Sequence, residues 1–151
     1  MPDLLVNLLK LPPREATQGF VLRRAQPFEL TPVCTFVTEN FSRSWADEIS
    51  FGFARQPISV FVAAIDRELV GFAAYECTRR SFFGPTGVVP AAQGKGIGKA
   101  LLLASLEALR EMGYVYAIIG AAGPVDFYQK TVGAIIIPDS EPGIYTDLLK
   151  T

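Results

Sequence analysis

A glycine-rich turn, Gln93-Gly94-Lys95-Gly96-Ile97-Gly98-Lys99, separates a β-rich run from the clearest helical repeat in the sequence. The run before it, Phe82–Val89, is interrupted by Gly84, Pro85 and Gly87, which suggests a bulge or an opened edge. In the helix after it, Ile97, Leu101, Ala104, Ala108 and Met112 recur at helical spacing. Lys99, Glu107, Arg110 and Glu111 lie off that stripe, and Gly113 stops it. A strand that enters a helix through such a turn brings unpaired N–H groups and the positive end of the helix dipole to one place. Glycine lets an anion approach the backbone there. Lys95 and Lys99 add charge, so a pyrophosphate fits.

The other elements follow from pattern. Met1–Leu11 reads as a strand or short amphipathic segment ended by Pro12-Pro13, and Phe20–Arg24 as a strand. Pro27 and Glu29 open a helix across Leu30–Asn40, and a second covers Ser44–Ala54 with Ser44 as N-cap. Ser59–Ile65 and Leu69–Thr78 form a hairpin around Asp66-Arg67-Glu68. Tyr114–Ile119 is a strand, Val125–Thr131 a short helix, Ala134–Ile137 a strand, and Ile144–Leu149 a last strand after Pro142-Gly143. The order predicts a mixed α/β domain.

Composition narrows the chemistry. The 151 residues are enough for one domain with its own core. Histidine is absent, which removes the imidazole base, every Ser-His-Asp or Cys-His arrangement and the commonest metal ligand. Two cysteines cannot build a zinc site; Cys34 and Cys77 read as buried free thiols, as suits a reducing cytoplasm. The net charge of −1 gives no overall attraction to nucleic acid or membrane. The start of the chain reads neither as a signal peptide nor as a membrane span, and a cytoplasmic location is expected.

Two common phosphate loops fail here. A Walker A loop needs a hydroxyl after its Gly-Lys, and Ala100 follows Gly98-Lys99. A dinucleotide fingerprint needs a third glycine where Lys99 stands. What matches is Q/R-x-x-G-x-G, as Gln93, Gly96 and Gly98, preceded by V-x-P at Val88 and Pro90. This resembles the acetyl-CoA signature of the GNAT N-acetyltransferase superfamily, over roughly Phe20–Leu149. Residues 1–19 are left as an N-terminal extension, an added strand or a dimer contact, before a domain of residues 20–151.

The resemblance implies a central, mostly antiparallel, splayed sheet flanked by helices. The pantetheine arm of acetyl-CoA would lie in the splay, held by the backbone of Gly87, Val88 and Val89. Gln93, Gly94, Lys95, Gly96, Ile97, Gly98 and Lys99 would hold the pyrophosphate. The splayed partner would be Val115–Gly120, and Gly120-Ala121-Ala122-Gly123 lacks the Asn that some members place there. Asp126–Ala134 resembles the family's F-Y-x-K-x-G-F segment, with one extra residue before Gly133. It makes Tyr128 the hydrogen-bond or proton donor to the departing thiolate, since a thiol has a pKa of ~8.5 and a phenol ~10. The Glu that some members carry as base is replaced by Phe83; Glu76, Asp126 or a water chain could substitute.

Phe41, Trp45 and Phe83, with Phe51, Phe53 and Phe82, are candidates to line an acceptor pocket; Arg79 and Arg80 could meet an anion. The expected function is acetyl transfer from acetyl-CoA to an amine of a small molecule or peptide, without metal. The alternative is a non-catalytic CoA-binding or sensor domain. Neither nucleic acid nor membrane is expected as a partner, and a homodimer is left open.

Overall fold

The computed structural model describes all 151 residues. Strict alternation along Leu4–Asn7 makes β1, with Leu4 and Val6 wholly buried; a 3-10 turn, Leu8–Lys10, buries Leu8 as well. Strand β2 is Val21–Arg24. After a 3-10 turn at Pro27–Glu29 come α1, Leu30–Asn40, and α2, Arg43–Ser50. The cap of α2 is Ser42, not Ser44. Ser42 is extended (φ −156°, ψ 155°), and its hydroxyl accepts the Trp45 N–H at 3.1 Å, while Ser44 is already helical. The helix tightens into a 3-10 turn at Phe51–Ala54 instead of running on.

Strands β3, Val60–Ile65, and β4, Glu68–Tyr75, form the expected hairpin. Its two-residue turn, Asp66-Arg67, has φ of 52° and 68°, the doubly left-handed turn that matches strand twist. Strand β5 is Phe82–Val88, α3 is Ile97–Glu111 and β6 is Tyr116–Ile119. Helix α4, Val125–Val132, ends at Gly133 with φ 65°, and β7 is only Ile135–Ile136. Met112, placed on the stripe of α3 by its spacing, caps the helix and stays exposed. No strand forms over Ile144–Leu149. A 3-10 turn at Gly143–Tyr145 takes up its start, and Leu148 and Leu149 stand in solvent with no neighbouring strand.

The seven strands run in the order β2-β3-β4-β5-β6-β1-β7, all pairs antiparallel except β5 with β6. Thus β1 lies between β6 and β7, inside the sheet. One face carries a core built with α3 and α4, including Leu101, Leu102, Leu106, Ala117 and Tyr128. The other carries a smaller core under α1 and α2, with Val33, Val37, Ile49 and Phe72. This is a mixed α/β fold with a mostly antiparallel open sheet between helices.

The parallel pair is brief. Phe82 faces Ile118 and Phe83 faces Ile119, and there it ends. From Gly84 onward β5 keeps β4 on one edge and has no strand on the other. The sheet forks between β5 and the end of β6.

Candidate active site

The fork and the turn after it make one continuous surface. Val89 N–H donates to the Val70 carbonyl at 2.9 Å, and Gly87 stands opposite Phe72 in the same register. Backbone groups of an antiparallel strand alternate in direction, so those of Gly87 and Val89 are turned to β4 and those of Thr86 and Val88 to the fork. The Val88 carbonyl accepts Gln93 Nε2 at 3.1 Å on that side. Of the three residues expected along the fork, Val88 alone turns its groups there. Thr86, unsuspected from sequence, joins it; the register with β4, a long-range fact, was needed to find it. Gly87 answers a steric demand instead: a Cβ there would sit 2.5 Å from the Phe41 ring.

Beyond Val88, a 3-10 turn at Pro90–Ala92 leads into the glycine turn. Gly94 and Gly96 have φ of 83° and 80°, the left-handed region that glycine enters without strain. The N–H groups of Gly94, Lys95, Gly96, Ile97, Gly98 and Lys99 donate to no protein acceptor; the first paired amide is Ala100, which bonds the Gly96 carbonyl at 3.1 Å. Six successive free amides at the N-terminus of a fifteen-residue helix form an anion cradle. Nothing obstructs it: a Cβ at Gly94 or Gly96 would meet no atom within 4 Å. Lys95 and Lys99 form no ion pair. Both line a cavity of about 430 Å³, shared with Arg14 and Thr17. A diphosphate therefore fits these residues, with Gln93 bracing the turn by its bond to Val88.

Tyr128 packs edge-on against Phe83, ring centroids 6.3 Å apart, at the residue where the fork opens. Its ring is buried, and burial pushes the phenol up to about 12. The hydroxyl makes no hydrogen bond within the protein, yet it is not sealed off from solvent. It is a neutral, free donor beside the fork.

Past the fork, away from the glycine turn, a second cavity of about 470 Å³ lies among α2, the start of β5, the end of β6 and the Pro142–Tyr145 segment. Trp45, Glu48, Phe82, Phe83, Gly120 and Tyr145 line it. A Cβ at Gly120 would lie 3.7 Å from the Tyr145 hydroxyl, which places that hydroxyl at the mouth of the fork. Glu48 Oε2 accepts the Thr78 hydroxyl. At the rim the Met1 amino group meets Glu141 Oε2 at 2.7 Å.

The aromatic candidates separate. Trp45, Phe82 and Phe83 reach this cavity. Phe41 stacks between Trp45 and Phe72, Phe53 packs on the smaller core, and Phe51 is exposed. Glu76 is committed elsewhere, accepting the Tyr114 hydroxyl at 2.7 Å and the Ser81 N–H, with Arg55 at 3.8 Å. Asp126 is exposed in the first turn of α4. Glu48 and Tyr145 carried no sequence signal beyond the unusual Pro142-Gly143-Ile144-Tyr145 run. Cys34 and Cys77 are free, half-buried, and burial pushes both thiols up, away from nucleophilic use. No group of three or more metal-ligating side chains gathers anywhere, and no helix is long and apolar enough to cross a membrane.

Comparison with known proteins gives the same picture. The sequence profile of the GNAT acetyltransferase domain matches residues 56–131, half of the chain, from the hairpin through Tyr128. No curated protein matches the sequence. Among solved structures, a GCN5-related N-acetyltransferase from Sphaerobacter thermophilus superposes with a TM-score of 0.72 at 20% identity, over 90% of this chain and 48% of that one. The glucosamine N-acetyltransferase region of a fungal multi-domain GH3 β-N-acetylglucosaminidase gives 0.73 at 17% identity, over 90% of this chain and 19% of that one. A GNAT family N-acetyltransferase from Escherichia coli, solved in complex with CoA, gives 0.50 at 18% identity, over 68% and 63%. The chain spans half or less of the first two. Forked sheet, amide cradle and matched profile agree, and the chain belongs to the GNAT acetyltransferase family.

Proposed function

We propose that this protein transfers the acetyl group of acetyl-CoA to an amine that enters from the Trp45–Tyr145 cavity. The observation that carries the reading is the run of six free amides from Gly94 to Lys99, continuous with the open edge of β5 at Thr86 and Val88. One surface thereby offers an anion cradle for a diphosphate and strand-like hydrogen bonds for an amide-containing arm.

When bound, the cosubstrate supplies a thioester, an acetyl group already activated toward an amine. The chain's residues do the rest. The amides of 94–99 hold the diphosphate, and Thr86 and Val88 orient the arm so that its sulfur end lies toward Phe83 and Tyr128. The nitrogen attacks as the neutral amine, having first lost its ammonium proton to solvent; it forms the new C–N bond as the C–S bond breaks and gives up one further proton. Tyr128 stabilises the departing sulfur. Its raised pKa makes full proton transfer to a thiolate of ~8.5 uphill, so it acts as general acid chiefly by donating a hydrogen bond. Phe83, in the position of the family's Glu, gives no base, so the proton passes to solvent.

The non-catalytic reading gains its one argument from that buried Phe83. Thiol release from acetyl-CoA over a panel of amines separates the two. Turnover with any amine supports the enzyme; cofactor binding with silence across small amines and peptides supports a sensor. Tyr128→Phe is expected to lower kcat tenfold or more while leaving acetyl-CoA affinity within threefold. Equal rates would remove Tyr128 from the mechanism.

A further inference from the structure

The cavity beyond the fork has a charge and wall chemistry that the family match does not dictate. Two carboxylates, Glu48 and Glu141, line it; Glu141 is paired with the Met1 ammonium, and with no lysine or arginine on the walls Glu48 is the carboxylate left without a cation. Glu48 Oε2 is fixed by the Thr78 hydroxyl; Oε1 has no hydrogen bond and Glu48 no ion pair. The walls beside it are the aromatic rings of Trp45, Phe82 and Tyr145. A free carboxylate oxygen among aromatic faces is the surrounding that a desolvated cation prefers, because both present negative potential.

The balance of nearby charges points the same way. Asp3 lies close behind the Pro142–Tyr145 turn, accepting the Ala121 N–H at 2.8 Å, with its Oδ2 3.2 Å from where a Cβ on Gly143 would be. Arg79 is the opposing side chain, and it donates to the Thr78 carbonyl at 2.9 Å. Burial first, then Glu48 and Asp3, push the Tyr145 phenol up against the pull of Arg79, so the acids outweigh the arginine where that hydroxyl stands.

Resting on the acetyl-transfer reading above, we infer that the acceptor is a cationic amine. It carries a second ammonium or guanidinium besides the nitrogen that reacts, and Glu48 holds that second charge against the Trp45 and Tyr145 rings. The reacting nitrogen then lies at the fork by Gly120. Acceptors bearing a carboxylate are repelled from the same place. Glu48 is here a specificity residue for the acceptor, and the Pro142–Tyr145 turn is the wall that completes its site.

The test uses three probes of matched chain length: 1,4-diaminobutane, butylamine and 4-aminobutyrate. Each is titrated calorimetrically into the intact protein, with and without saturating CoA, whose own binding is measured first. The diamine is expected to bind at least tenfold more tightly than butylamine, and 4-aminobutyrate most weakly. Glu48→Gln should remove most of that preference. Equal binding of the three probes, no diamine binding, or a preference that survives in Glu48→Gln overturns the inference. CoA uptake without diamine binding defeats the inference alone. Diamine binding without CoA uptake supports the cationic site and defeats the acetyl-transfer reading.

Discussion

Tyr128 belongs to the core by its packing and to the site in the proposed reaction. Desolvation raises its phenol from 10 to about 12, so between those values the folded state keeps a proton that the unfolded chain has released. Stability therefore falls as pH rises from 10 toward 12, and is unaffected by this group below 10. Chemical denaturation across that range should show a smaller alkaline loss in Tyr128→Phe than in the parent; identical slopes would mean that the phenol is not desolvated. The residue was legible in sequence because its neighbours Phe127, Lys130 and Gly133 keep a recognisable pattern despite one extra residue. Thr86 and Glu48 were not. The first is proposed for its backbone direction, set by the register Gly71 to Val88, and the second lines a cavity with Tyr145, nearly a hundred residues away.

Elements with a strong local cause were placed well from sequence. The hairpin turn at Asp66-Arg67, the α3 stripe and the short helix α4 all follow from patterns a few residues long. Errors fell where two local choices compete. Ser42 and Ser44 are both good caps, and Phe41, packed between Trp45 and Phe72, turns the chain so that Ser42 is the residue left extended. Ser42→Ala is expected to cost about 1 kcal/mol in urea unfolding, with Ser44→Ala nearly neutral; the reverse order would move the start of α2. Ile144–Leu149 is apolar enough for a strand, but the sheet offers it no edge beyond the two residues of β7. A strand is made by its neighbour, and neighbours are not written in local sequence.

The N-terminal segment is part of the sheet. Residues 1–19 read as an extension that could add a strand; Leu4, Val6 and Leu8 are completely buried and β1 separates β6 from β7. At about 1.5–3 kcal/mol for each such side chain, their loss approaches the whole stability of an ordinary domain. Removal of residues 1–11 should abolish the cooperative thermal transition; a truncated chain that melts like the parent would contradict the strand order. Because β6 forms one arm of the fork, the same deletion loosens the site.

The account stands or falls on the amides between Gly94 and Lys99 holding a diphosphate. Gly96→Val tests them with little disturbance to packing, since its Cβ meets no atom within 4 Å. At φ 80° a β-branched residue is strained by about 1–2 kcal/mol and pulls the turn away from its open shape. Calorimetric titration of acetyl-CoA should show one-to-one binding to the parent and at least tenfold weaker binding to Gly96→Val with its circular dichroism unchanged. A parent that takes up no acetyl-CoA, or a variant that binds it equally well, would contradict the account.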